Sequence, residues 1–288
     1  MPDDATPTNT EWVLTISCPD RPGIVHAVTG ILVQLGANIT ESQQFGNPDS
    51  EHFFLRLQFV SAATEQEIAN ALRPVADELS LEVGLDRVGR PVRTLVMVSK
   101  AGHCLNDLLF RQRSGQLPIE VVGVVGNHTD LAGLAEFYGV PFHHVPVTAE
   151  SKEQSEATIS ELVDSLDVEL VVLARYMQIL SAELCDRLRG KVINIHHSFL
   201  PSFKGARPYH QAHKRGVKLI GATAHFVTTD LDEGPIIEQD VARVDHNQRI
   251  SDFVALGQEI EARTLARAVK WHAQGRIILD GQRTVIFR

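Results

Sequence analysis

Cysteine is scarce: Cys18, Cys104 and Cys185 are the whole complement of 288 residues, odd in number and far apart. That pattern fits neither a disulfide framework nor the close pairing of zinc thiolates, and the expectation is a reducing compartment, the cytoplasm. Long apolar runs are absent too. No stretch approaches the roughly 20 residues that cross a bilayer. The opening "MPDDATPTNT" has neither a basic region nor an apolar run, so the expectation is a soluble chain that is not exported. Positive charge is in deficit, with 27 Lys and Arg against 36 Asp and Glu spread along the chain for a net charge of −9. No basic stripe is left for the phosphate contacts that dominate nucleic-acid affinity, which excludes nucleic acid as an expected partner. What is present is a 43% share of hydrophobic residues, enough at this length to give each of two ordinary domains a core.

The first ten residues read as a disordered tail. From Trp12 the pattern gives a strand ("WVLTISC"), a turn ("PDRPG") and a helix from about Ile24 to Leu35, with Asp20 and Pro22 as natural helix-start residues. Two strands, "GANITESQQF" and "HFFLRLQFV", a helix over Glu65 to Leu79 and a strand "SLEVGLDRV" complete a βαββαβ pattern, which is enough for one small α+β sandwich over 11–88. "GRPVR", residues 89–93, breaks the pattern and reads as a linker. Over 94–288, apolar runs such as "TLVMVS", "IEVVGVVG", "ELVVLA" and "KVINIH" alternate with helix-length segments, which predicts a doubly wound, mostly parallel sheet. "IGATAHFVT" and "GPIIEQDVARV" lie closer together, as in an antiparallel hairpin, and a long helix follows from about Ser251 to His272.

Sites in open parallel sheets form beyond the carboxyl ends of strands, which singles out "VINIHHSFLPSFKG". Asn194 and His196 are two apart on one strand and share a side, while His197 is expected on the other. An amide donor beside an imidazole suits a carbonyl substrate, although such a pair could equally satisfy loop backbone and fill a polar gap. "TTDLDEGPII" carries Asp230, Asp232 and Glu233, which by themselves make an ordinary solvated turn. Brought beside Asn194 and His196, a carboxylate from this loop would complete a site for adding water to a carbonyl. His196, His197, His210, His213 and His225 also invite a metal reading, but no His-Glu-x-x-His or Cys-x-x-Cys spacing supports it. "SKAGHCLND" offers one glycine, Gly102, little for a phosphate cradle.

"NIHHSFLPSFKGARPYHQAHKRGVKLIGATAHFVTTDLDEGPIIEQ" resembles the signature of the folate-dependent formyltransferase fold. The resemblance implies that Asn194, His196 and Asp232 form a catalytic trio. It also implies that the backbone around Met177, Gln178, Ile179 and Leu180, in "ARYMQILS", holds the pterin ring of a folate, with Thr229, Asp230 and Leu231 closing over the ring. "CPDRPGIVHAVTGILVQLGANI" resembles an ACT domain, a βαββαβ module that often pairs with copies of itself and binds small amino acids. Asp20, Arg21, Gly23 and Asn38 would be its ligand site, glycine or methionine the effector, and a homo-oligomer the assembly. An ACT domain ahead of a formyltransferase-like domain is similar to the formyltetrahydrofolate deformylase family. That implies hydrolysis of 10-formyltetrahydrofolate to formate and tetrahydrofolate, with no metal or other cofactor, supplying formate for purine biosynthesis and balancing the folate pools. Two departures from the related glycinamide ribonucleotide transformylases favour water as acceptor: His197 stands where those relatives have Pro, and "KAGHC" replaces their glycine-and-serine phosphate loop. The alternative is formyl transfer to an amine. An inactive folate or amino-acid sensor would require a broken trio, and a zinc hydrolase a stoichiometric metal.

Overall fold

A computed structural model describes residues 9–200 and 208–288, so part of the expected tail, as well as Lys204 and Gly205, lies outside the described residues. Contacts divide the chain into two units, one formed by the residues up to Arg90 together with Gln274–Arg288, the other by Pro91–Ala273.

In the first unit β1 (Thr10–Pro19), α1 (Ile24–Gln34), β2 (Asn38–Asn47), β3 (His52–Ser61), α2 (Glu65–Leu79) and β4 (Glu82–Arg87) build an antiparallel sheet of order β2-β3-β1-β4. Trp12, Leu14, Ile16 and Cys18 alternate along β1 and are buried with Ile24, Val28 and Leu32 of α1 and Ile68 and Leu72 of α2. This is the period-2 face of a strand meeting the 3.6-residue stripe of two helices. A capping box starts α2: Thr64 Oγ1 accepts from the Glu67 backbone N–H at 3.3 Å, and the Glu67 carboxylate accepts from the Thr64 backbone N–H at 2.8 Å. The start of α1 differs from the expectation. Its N-cap is Gly23 at φ 97°, with no side-chain cap, so neither Asp20 nor Pro22 begins the helix. The left-handed turn that glycine permits replaces the side-chain acceptor.

Gln274–Arg288 pack with this unit, whereas the sequence pattern assigned them to 94–288. The reason is a fully buried guanidinium. Arg56 of β3 donates to Gln274 O and Gly275 O, each at 3.1 Å, and to Glu41 of β2 at 2.9 Å, and Arg276 adds a second cation 3.3 Å from Glu41. A buried charge demands such partners, and here the far end of the chain supplies them.

The second unit contains β5 (Val92–Val98), α3 (His103–Arg113), β6 (Ile119–Gly126), α4 (Ala132–Phe137), β7 (Phe142–His144), α5 (Lys152–Ser165), β8 (Leu170–Leu173), α6 (Ala182–Arg187), β9 (Val192–His196), α7 (Pro208–Arg215), β10 (Leu219–Phe226), β11 (Ile236–Arg243) and α8 (Ile250–Ala273). The seven-stranded sheet has the order β11-β10-β9-β8-β5-β6-β7, parallel from β9 to β7, with β10 antiparallel to both neighbours. The chain enters at the middle, on β5, winds outward through β6 and β7, and returns to β8 on the other side. The switch point therefore lies between β5 and β8, and the continuous apolar runs of these two strands are buried on both faces.

Candidate active site

Val192, Ile193 and Ile195 anchor β9 in the core, while Asn194 and His196 sit partly exposed near its carboxyl end. Because β10 runs antiparallel to β9, the register sets His225 opposite Asn194 and Thr223 opposite His196. His225 is buried, and its Nδ1 lies 2.9 Å from Phe226 O, a carbonyl that can only accept. This bonding assigns the ring proton to Nδ1 and leaves Nε2 as the acceptor for Asn194 Nδ2 at 3.2 Å. Burial pulls the His225 pKa down, so the ring stays neutral and holds the amide orientation of Asn194. Sequence reading placed His225 only in the metal alternative. Its role follows from the β9–β10 pairing, which the hairpin pattern of β10 and β11 does not reveal.

The acidic loop is locked by Gly234. A Cβ there would stand 1.9 Å from Phe226 O, and the Phe226 backbone N–H donates to Pro235 O at 2.9 Å. Only glycine lets the loop lie this tightly on the end of β10. Asp232 takes the left-handed conformation at φ 59°, which aspartate tolerates better than most residues, and its Oδ1 reaches 3.2 Å from His196 Nδ1 and 3.7 Å from His225 Nε2. The contact from His196 holds the Asp232 carboxyl below the usual carboxylate range against the opposing effect of burial. His196 Nε2 points away from this contact, is buried, and has no hydrogen-bond partner among the described residues.

His197 corrects an expectation. Its ring does not turn to the opposite side but stacks on His196, with centroids 4.9 Å apart and planes at 19°. The strand ends at His196, and its two-residue alternation ends with it. Burial, followed by the charges of Arg175 and His196, pushes the His197 pKa down to about 4.

A narrow slot of about 60 Å³ adjoins the trio. Gln178, Ile179 and Leu180 line it on one side, Asn194 and His225 on the sheet side, and Thr229, Asp230, Leu231 and Asp232 on the other. Met177 is outside this lining and exposed, at φ 58°. In the first unit Asp20, Arg21, Gly23 and Asn38 are all exposed. A cavity of about 230 Å³ in that unit is lined instead by Thr15–Ser17, Glu82–Gly84 and Ile278. The five-histidine metal alternative gathers no three-ligand group among the described residues. The group that does gather is His103, Cys104 and Glu261, with donor atoms within 4.8 Å of one another. The Glu261 carboxylate there is already engaged, by His103 Nε2 at 2.8 Å and the Tyr209 hydroxyl at 2.5 Å. Sequence reading passed over Arg175, Tyr209 and Glu261, because they lie far apart in the chain and in no shared motif.

The sequence profile of the formyl transferases matches residues 92–269, and that of ACT domains matches residues 12–77. A curated relative from Corynebacterium sp. (strain P-1), named formyltetrahydrofolate deformylase, is 51% identical over 280 residues, spanning 96% of this chain and 98% of the relative. This chain belongs to the formyltetrahydrofolate deformylase family. The formyltetrahydrofolate deformylase of Bacillus subtilis (strain 168) is 43% identical, over 95% of this chain and 93% of its own. The crystal structure of the formyltetrahydrofolate deformylase from Burkholderia mallei superposes with a TM-score of 0.94 at 49% identity, covering 97% of this chain and all of that one. The similarity to the family thus runs through both units.

Proposed function

We infer that this chain hydrolyses 10-formyltetrahydrofolate to formate and tetrahydrofolate, and that Asn194, His196 and Asp232 carry the reaction. The observation behind the assignment is the reach of Asp232 Oδ1 to 3.2 Å from His196 Nδ1, from a loop distant in sequence, beside an amide whose orientation is fixed by His225. A carboxylate, an imidazole with a free buried Nε2 and an oriented amide are what addition of water to a formyl carbon needs.

The pterin ring binds where this slot opens between Gln178, Ile179 and Leu180 and the loop of Thr229, Asp230 and Leu231, which must part to admit it, with Met177 at the rim. Water attacks the formyl carbon while Asp232 orients it and takes its proton. A carboxylate held at low pKa is a weak base, so the proton moves as the C–O bond forms, when the water oxygen becomes acidic. Asn194 Nδ2 and the imidazolium form of His196 donate to the oxyanion. Collapse breaks the bond from carbon to N10, N10 takes the proton from His196 Nε2, and formic acid leaves and ionises to formate. The reading requires no metal or cofactor.

The product supplies formate for purine biosynthesis in the cytoplasm. The ACT unit regulates it as part of a homo-oligomer, with an amino acid such as glycine or methionine held near Asp20, Arg21, Gly23 and Asn38. The alternative, formyl transfer to an amine, predicts no formate without an added acceptor. The test is formate release from 10-formyltetrahydrofolate in buffer alone, and its absence defeats the hydrolytic reading. In the same assay Asn194→Ala should lower kcat by on the order of a hundredfold with little change in folate affinity. Asp232→Asn should abolish nearly all turnover. Unchanged kcat in either variant removes that residue from the trio.

A further inference from the structure

Open α/β sheets leave a crevice at the switch point, beyond the carboxyl ends of the strands. Here it lies between β5 and β8, and side chains converge on it from four elements. His103 opens α3 after β5, Arg175 follows β8, Tyr209 stands on α7 and Glu261 on α8. The Glu261 carboxylate, 1% exposed, accepts from the Tyr209 hydroxyl at 2.5 Å, contacts His103 Nε2 at 2.8 Å, and lies 3.3 Å from Arg175 Nε. Tyr209 can lie against α8 because residue 257 is glycine: a Cβ there would stand 2.2 Å from the phenol ring. The cluster borders the trio through His197, whose ring is 6.5 Å from Tyr209 and stacks on His196.

Arg175 is held there at a cost. Its φ is 67°, a conformation in which glycine is comfortable and a long side chain is not. Its Nε, though close to Glu261, lacks the alignment of a hydrogen bond, and neither Nε nor Nη1 has a hydrogen-bond partner among the described residues. The residue neither completes a bidentate ion pair nor relaxes its backbone. What it supplies without reservation is bulk and charge in the crevice.

We propose that Arg175, His103, Tyr209 and Glu261 plug the acceptor side of the site, and that this plug makes water the nucleophile by denying an amine the room to bind. The proposal rests on the trio described above. An amine acceptor must bring its substituent with it and be held in line with the formyl carbon, and alignment of that kind comes from binding the parts remote from the reacting atom. With the crevice filled, a substituted amine has no such hold, whereas water needs none. In the transfer that the plug prevents, the amine nitrogen bonds to the formyl carbon, the bond from carbon to N10 breaks, and N10 takes up the proton that the amine gives up.

The experiment compares the full chain with Arg175→Gly, which suits the left-handed backbone, and with Arg175→Gly/Glu261→Gln, which also neutralises the carboxylate left behind. Each is given 10-formyltetrahydrofolate and increasing glycinamide, a small primary amine, and N-formylglycinamide and formate are both quantified against an enzyme-free control. The unaltered chain should give formate regardless of amine. At least one opened variant should form N-formylglycinamide in proportion to amine, raising its ratio to formate by on the order of tenfold or more, with formate release kept within about tenfold. An unchanged ratio in folded, folate-binding variants overturns the proposal. So does loss of formate release beyond a hundredfold in both variants with folate binding intact, since Arg175 would then act in the chemistry itself. Failure of the trio reads out separately, as undiminished formate release from Asn194→Ala.

Discussion

His197 carries a measurable consequence of its burial. Its folded pKa of about 4 lies below the ordinary 6.5, so on acidification the unfolded chain takes up the proton first. Stability present above pH 6.5 is therefore lost progressively as the pH falls toward 4, by on the order of 3 kcal/mol for this ring. Thermal unfolding at pH 7 and pH 4.5 should show a smaller acid-induced drop in His197→Gln than in the unaltered chain, and an equal drop would mean that the ring is not the titrating group. Asp232 has the same sign, in a lower pH window. Its carboxyl is depressed, so the stability from its contact with His196 is full above the usual carboxylate range and is lost as the pH falls through and below that range. At this scale Asn194, His196 and Asp232 were legible as candidates because they fall on a recognisable motif, and the fold brings His196 and Asp232 into contact. His225 was not, because its importance comes from the residue across the strand pair and not from its own neighbours in sequence.

Among the elements, the loop between β10 and β11 is the most exacting. Gly234→Ala puts a methyl 1.9 Å from Phe226 O, which is backbone and cannot step aside, so the loop itself must shift. Displacement of a catalytic group by about 1 Å can cost a hundredfold in rate. Gly234→Ala should therefore lower kcat by at least tenfold while far-UV circular dichroism stays native-like, and wild-type kcat would show that the loop can yield without moving Asp232. Element types were readable because strands and helices wrote their own periods: α2 was expected over Glu65 to Leu79 and observed at Glu65–Leu79. Element ends were less readable. The stack of His197 on His196 and the glycine start of α1 both arise where a period stops, and there local backbone geometry takes over from pattern.

At the scale of the whole molecule, the last fifteen residues complete the first unit through Arg56. Its guanidinium is fully buried and depends on Glu41 for its charge partner and on two carbonyls beyond residue 273 for the remaining bonds. Glu41→Gln keeps the shape and removes the charge, which should destabilise this unit by about 2–3 kcal/mol, because it leaves the buried guanidinium of Arg56 without a counter-charge. Denaturant unfolding monitored at this unit checks the figure, and a change under about 0.5 kcal/mol would assign the stability to the carbonyl bonds alone. No helix among the described residues is long and apolar enough to cross a membrane.

The sequence by itself determined the class of fold, the order of the two patterns and the family, and it supplied the candidate residues of the site, because periodicity, turn chemistry and motif are properties of neighbours along the chain. Only the tertiary structure decided which groups touch: the 3.2 Å approach of Asp232 to His196, the hold of His225 on Asn194, the return of Gln274–Arg288 to Arg56, and the cluster of Arg175 with Glu261. These are contacts between residues tens to hundreds of positions apart. Their distances are set by strand register, by close approaches at glycine and by the pairing that buried charge demands, none of which has a local period to read.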